Sequence, residues 1–269
     1  MLQLGVVEYQ AAQAIQQQLV ELRKQERIAD TLLFLEHSPV ITLGRNSKLS
    51  NVLLSREELA QRGVQLVECD RGGDVTYHGP GQLVGYPIFD LRGFKDANLK
   101  TLGPVEFVRR MEEALIRTCG DMGIACGRKA GLTGVWTEPS SQEEVHKKIA
   151  AIGIHISRGV TSHGFALNVN TDLAGFELIV PCGISDCAVT SIHQELRDAG
   201  LLNQSAALSM NDVAHSVSRN FGRVFMRQTL WLQSLDDLMS AVAPANQDIP
   251  AKAPENLRQL RGEDEIYLA

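Results

Sequence analysis

The 269-residue sequence has no apolar run long enough to span a bilayer. It has no CxxC pair and no HxxxH pair, which removes the usual structural zinc sites. Its five cysteines, at 69, 119, 126, 182 and 187, are odd in number and irregular in spacing, which is not the signature of a secreted disulfide framework. A reducing cytoplasm is the expected compartment. There is no basic excess either: 26 Lys and Arg stand against 32 Asp and Glu, for a net charge of −6 and a pI near 5.7. A broad nucleic-acid-binding face is therefore disfavoured, and neither nucleic acid nor membrane is an expected partner. The opening MLQLGVVEYQAAQ lacks a basic segment ahead of an apolar one, and the first arginine is Arg23, so no signal or transit peptide is expected. What remains is ordinary for a globular chain, with 44% hydrophobic and 22% charged residues. The length suits one large domain or two small ones.

Periodicity supplies the elements. Ala11, Ile15, Leu19 and Leu22 recur at helical spacing within residues 10–26. TLLFLEH (31–37), VITLG (40–44) and QLVEC (65–69) read as strands, and Ser55 opens a short capped helix in SREELAQRG. Pro104 starts a helix carrying Phe107, Val108, Met111, Leu115 and Thr118 on one side. TGVWTE, KKIAAIGIHIS and GFALNVN are strand-like, and residues 190–200 and 211–221 are helical. PSSQEEVH reads as an exposed hairpin loop. Strands and helices mix irregularly, so the expected class is α/β in the mixed α+β sense, with residues 1–235 as one domain and 236–269 as a loosely ordered extension.

Three segments can carry chemistry. RGGDVTYHGPGQ (71–82) holds five glycines or prolines in twelve residues. That composition predicts a loop allowing close backbone approach, with Arg71 as its cation. It matches neither the phosphate-loop pattern nor a dinucleotide-binding GxGxxG after a strand. Lys147 and Lys148 are adjacent, so only one can face a given side of a strand. Alternation puts Lys148 with Ala150 and Ile152, where a partly desolvated ammonium would seek an anion. Cys182 lies between Pro181 and Gly183, which present it on a turn. Cys187 lacks such neighbours and reads as structural, while Cys69, Cys119 and Cys126 read as core or incidental. His78 and His163 fall in glycine-flanked loops where either can donate a hydrogen bond.

At these residues the sequence resembles a known family. RGGDVTYHGPGQL, GVWT, KIAAIG, HGFALNV and PCGISDCAVTS, with LEHSPVITLGR ahead of them, are similar to the blocks of the lipoate-biosynthesis octanoyltransferases, in order, over roughly residues 5–225. The resemblance implies the catalytic-domain fold shared by biotin and lipoate protein ligases. It implies transfer of an octanoyl group from acyl carrier protein to a lysine of a lipoyl domain, in 2-oxoacid dehydrogenase subunits or the glycine cleavage H protein. It implies a monomeric enzyme needing neither ATP nor metal. It carries catalytic roles onto Cys182, as the thioester carrier, and Lys148, as its partner. It carries acyl-pocket roles onto Arg71, Gly72, Gly73, Asp74, Val75, Thr76, Tyr77 and His78. The same applies to Ala151, Ile152 and Gly153, and to His163, Gly164, Phe165 and Ala166.

The chemistry of the residues agrees with these implied roles. A thiol of ordinary pKa is only about 3% thiolate at pH 7, and a neighbouring ammonium lowering it by about two units makes it roughly 75%. Backbone N–H groups of the glycine loops are candidate oxyanion donors. Docking of an acidic carrier onto an acidic enzyme calls for a local basic surface, with Arg45, Lys48, Arg71 and Arg158 as candidates. The alternatives are an ATP-dependent lipoate or octanoate ligase, a non-catalytic acyl-binding module, and a cysteine hydrolase. The ligase pattern continues its glycine loop into His-Asp where this chain has His78-Gly79, and the binding module would lack the nucleophile.

Overall fold

Strand alternation builds the main sheet of the computed structural model. The structure describes residues 1–96, 98–138, 145–181, 188–202, 207–240, 242 and, as backbone, 265–268. In β2 (Thr31–His37), Leu32 and Phe34 enter one core, whereas Leu33 and Leu35 enter another. β6 (Gln82–Ile88) divides Leu83 from Val84, Tyr86 and Ile88 in the same way, and β10 (Val160–Asn168) divides Phe165 and Leu167 from Ala166. Both faces are therefore covered by apolar layers, and the strands read as nearly continuous hydrophobic runs.

The sheet runs β1 (Leu2–Val7), β2, β6, β10, β9 (Lys148–Ser157), β8 (Leu132–Thr137), β7 (Cys126–Lys129). Only β1 and β2 pair in parallel; the other neighbours on this path are antiparallel. One face carries α3 (Pro104–Asp121) and α5 (Met210–Phe225), whose Phe107, Met111, Leu115, Val217 and Phe221 pack on Phe165 and Ile154. Pro104 occupies the first turn of α3, where its missing N–H costs nothing. The other face carries α1 (Tyr9–Lys24) through Ala12, Leu19 and Leu22.

A second sheet of three strands has the order β4 (Gln65–Glu68), β3 (Val40–Leu43), β5 (Val75–His78). Leu59 of α2 (Arg56–Gln61) and Phe176 close its own small core. Ser55 caps α2, as the sequence predicts, and does so in a reciprocal box with Glu58. Strand β5 corrects one expectation, because Val75–His78 lie inside the stretch read as a loop. They pair with Val40–Leu43, and this non-local ladder outweighs the local glycine and proline content. His78 and His163 are accordingly strand residues, not loop residues.

Ordered packing also continues past residue 235. Leu238 of α6 (Leu235–Ser240) is buried against the α1 side, and β11 (Glu265–Leu268) pairs antiparallel with β9. The stretch 139–144, within the segment read as a hairpin loop, lies outside the described residues.

Leu115→Ala removes a fully buried side chain from the α3–α5 interface. We expect a loss of about 2–5 kcal/mol in urea unfolding with an unchanged m-value.

Candidate active site

Between β9, β10, β6 and the second sheet lies a cavity of about 310 Å³. That size is at the small end of ligand pockets, which run to roughly 300–1,000 Å³. Of the residues expected there, Arg71, Gly73, Asp74, Val75, Thr76 and His78 line it from the second sheet and its loop. Lys148, Ala151, Ile152 and Gly153 line it from β9, and His163, Gly164, Phe165 and Ala166 from β10. Two expected residues do not line it. Gly72 instead donates its N–H to Ile154 O at 3.0 Å, and the Tyr77 ring turns into the small core against Phe176. Cys182 and Cys187 lie outside the described residues.

Lys148 reaches the cavity because β9 is not regular. Val135 of β8 pairs with Ala150, but the next residue, Trp136, pairs with Lys148, so one step on β8 spans two on β9. This bulge puts both Ile149 and Ala150 on the α3 side and reverses the phase of Lys148. The expectation that Lys148 shares a face with Ala150 is thus corrected: Ala150 stays in the α3-side core, and the β9 residues that line the cavity with Lys148 are Ala151, Ile152 and Gly153. Lys147 leaves in the other direction and pairs with Glu195 of α4 (Ile192–Asp198) at 2.6 Å.

The Lys148 side chain is buried, with Nζ 5.3 Å from the centroid of the Trp136 ring; Lys129 Nζ lies 5.1 Å from the same ring. Such cation–π contacts are worth about 0.5–2 kcal/mol. The backbone of Lys148 is tied to the far side of the cysteine segment. Its N–H donates to Ala188 O at 2.7 Å, and its carbonyl accepts from Thr190 N at 3.0 Å. On the near side, Pro181 lines a cleft together with Lys148, Thr76 and Ala166.

The loop at 70–74 is fixed by buried hydrogen bonds. Arg71 is buried, and its guanidinium donates to Thr42 O at 2.8 Å, Thr42 Oγ1 at 2.9 Å and Gly72 O at 3.0 Å. Asp70 accepts from His155 Nδ1 and from His163 Nε2, each at 2.7 Å. These donors hold its carboxyl far below the usual carboxylate range. A Cβ at Gly153 would stand 2.6 Å from Gly72 O, so β9 needs glycine where the loop crosses it.

Burial of Arg71 corrects another expectation, since its guanidinium is not part of a docking surface. Arg45 and Lys48 are exposed on the loop that contributes Asn46 to the cavity. Arg158 is exposed at the β9–β10 turn and faces Glu21 at 3.6 Å.

Sequence reasoning missed Tyr9, Asn46, Val84 and Tyr86, as well as residues 131–133. Trp136 was visible in the GVWT block but had no assigned place. Tyr86 donates to His37 Nε2 at 2.7 Å, because His37 Nδ1 gives its proton to Val7 O at 2.8 Å. Burial pushes the Tyr9 and Tyr86 hydroxyls up and lowers His37 to about 4. It also lowers His78 and, against the pull of Asp70, His163. Two of these imidazoles, His78 and His163, line the cavity, and His37 stands behind Tyr86.

The lipoyl protein ligase A/B catalytic-domain family matches residues 8–222. An octanoyltransferase of Koribacter versatilis is 58% identical, with 99% of this chain and 98% of the relative covered. One of Acidobacterium capsulatum is also 58% identical, over 92% of this chain and 98% of the relative. The chain belongs to the octanoyltransferase family. As a member of that family it is an acyltransferase.

The fold is that of the lipoate ligases. Lipoate-protein ligase A bound with ATP superposes with a TM-score of 0.62 at 17% identity, covering 89% of this chain and 91% of that one. A bi-partite lipoate protein ligase from Thermoplasma acidophilum gives 0.58 at 17% identity, covering 89% of each chain. Among the described residues no helix is long and apolar enough to cross a membrane.

The three neutral histidines set a pH dependence. Unfolded, each takes a proton near its ordinary value of 6.5; folded, each resists it. Their contribution to stability is complete above that value and is lost as pH falls, for His37 down to about 4. Each adds a slope of up to about 1.4 kcal/mol per pH unit. Urea midpoints measured from pH 7.5 to 4.5 should fall accordingly, and His37→Gln should flatten the curve. An unchanged slope in that variant would contradict the assignment.

Proposed function

We propose that this acyltransferase moves an octanoyl group from acyl carrier protein to a lysine amine of a lipoyl domain, by way of a thioester on Cys182. One observation carries the reading. The buried Lys148 amine lines an apolar cavity and shares a cleft with Pro181, the residue bonded to Cys182, in a chain 58% identical to relatives named octanoyltransferases.

In the first half-reaction the Cys182 thiolate attacks the carbonyl carbon of the donor thioester. The bond to the carrier sulfur breaks, and that sulfur leaves with a proton from the Lys148 ammonium. In the second half-reaction the neutral acceptor amine attacks the Cys182 thioester. The new amide forms, its surplus proton passes to Lys148, and sulfur departs as the thiolate. Both groups return to their starting charge, so no external acid or base is consumed. Ala151, Val84 and Ala166 give the acyl chain a low-polarity wall. Exposed Arg45 and Lys48 stand where an acidic carrier would meet the rim. The acceptors in this reading are lipoyl domains of 2-oxoacid dehydrogenase subunits and of the glycine cleavage H protein, met in the cytoplasm by a monomeric enzyme.

Intact mass after mixing with octanoyl carrier protein should show one added octanoyl group, located on Cys182 by peptide mapping. Cys182→Ser should abolish the adduct and the transfer. Lys148→Ala should lower turnover by about 10²–10⁴. Full transfer by Cys182→Ser would refute the thioester route, and activity only with free octanoate plus ATP would assign a ligase. Release of octanoate to water would assign a hydrolase.

A further inference from the structure

Glu112 is a charged group that the transfer chemistry does not use. It lies on α3 with no exposed surface. Taking a carboxylate out of water costs several kcal/mol unless every oxygen is well bonded. Here Oε2 accepts from Arg109 Nη1 at 2.7 Å and from Arg128 Nε at 3.0 Å. Those partners are 44% and 37% exposed, and both bond the same carboxylate oxygen. The ion pairs therefore leave Oε1 to be satisfied elsewhere.

The other oxygen points to a different task. Oε1 accepts the backbone N–H of Gly134 at 3.1 Å. Gly134 has φ +122°, a conformation open to glycine, and a Cβ there would stand 2.7 Å from Lys148 Cε and 2.6 Å from Ala150 O. The Gly134 α-carbon is thus the surface along which the end of the Lys148 side chain lies. It precedes Val135 and Trp136, whose pairing creates the bulge that turns Lys148 into the cavity. Arginines, Glu112, the Gly134 amide and the Lys148 methylenes form one contiguous stack through the sheet.

We propose that Glu112 is a positioning residue for the acyl transfer: by holding the Gly134 amide it fixes the β8 backbone against which the Lys148 amine is set. The inference rests on the role given above to Lys148. A displacement of about 1 Å at a reacting group is enough to cost on the order of 10²-fold in rate.

The experiment measures kcat and KM for octanoyl carrier protein in the full-length enzyme well below its melting temperature. Glu112→Ala loses the contact outright, and Glu112→Asp retracts it by one methylene while keeping the charge. Both should lower kcat by about 10–100-fold with KM changed less than about threefold, and Glu112→Gln, whose amide oxygen still reaches Gly134, should recover to within about fivefold of the parent. Leu115→Ala, three residues along the same helix and outside the site, reports what loss of stability alone does, and should keep the parental kcat. If Glu112→Ala is insoluble, Glu112→Asp decides. Parental kcat in folded Glu112→Ala or Glu112→Asp, a fall in Glu112→Gln as large as in Glu112→Ala, or an equal fall of kcat in Leu115→Ala overturns the proposal. Parental kcat in Lys148→Ala overturns it as well, and does so by removing the role of Lys148 rather than the link from Glu112.

Discussion

One extra residue in β9 governs the arrangement of the cavity. A regular strand would aim Lys148 at the α3 side with Ala150 and Ile154, away from the cavity. The bulge opposite Val135 and Trp136 turns it through the sheet to the face shared with Ala151 and Gly153. There it finds an indole face and the backbone of residues 188–190.

The walls of the cavity follow from two sheets that meet at a glycine crossing. The loop from Asp70 to Asp74 passes over Gly153 and is tied to the main sheet by the Gly72–Ile154 bond and the two histidines on Asp70. Arg71 turns inward onto Thr42 instead of outward to solvent. Burial keeps His37, His78 and His163 neutral, so the polar groups at this end contribute dipoles rather than mobile charge.

Local chemistry was legible in the sequence and non-local geometry was not. The Ser55 cap, Pro104 at the head of α3 and the strand at 31–37 depend on neighbours within a few residues, and each matches. Strand β5 was missed because its stability lies in pairing with β3, more than thirty residues away. The opposed directions of Lys147 and Lys148 were legible, but which face received Lys148 was not, since alternation carries no record of a bulge. Most of the expected wall residues converge on one cavity because the resemblance places whole blocks. Tyr9 escaped notice because only the packing of α1 on the sheet brings it there, and Tyr86 because only the pairing of β6 with β10 does.

Strand β9 is bonded unequally along its two edges. On one side β10 accompanies it through eight consecutive residue pairs, from Leu167–Ala150 to Val160–Ser157. The other side is divided, with β8 holding the first residues and β11 the last. Loosening at the lysine end therefore has no ladder along that edge by which to spread, and the turn near Ser157 stays zipped. Strand β9 can thus yield at its lysine end while the remainder of the sheet keeps its register.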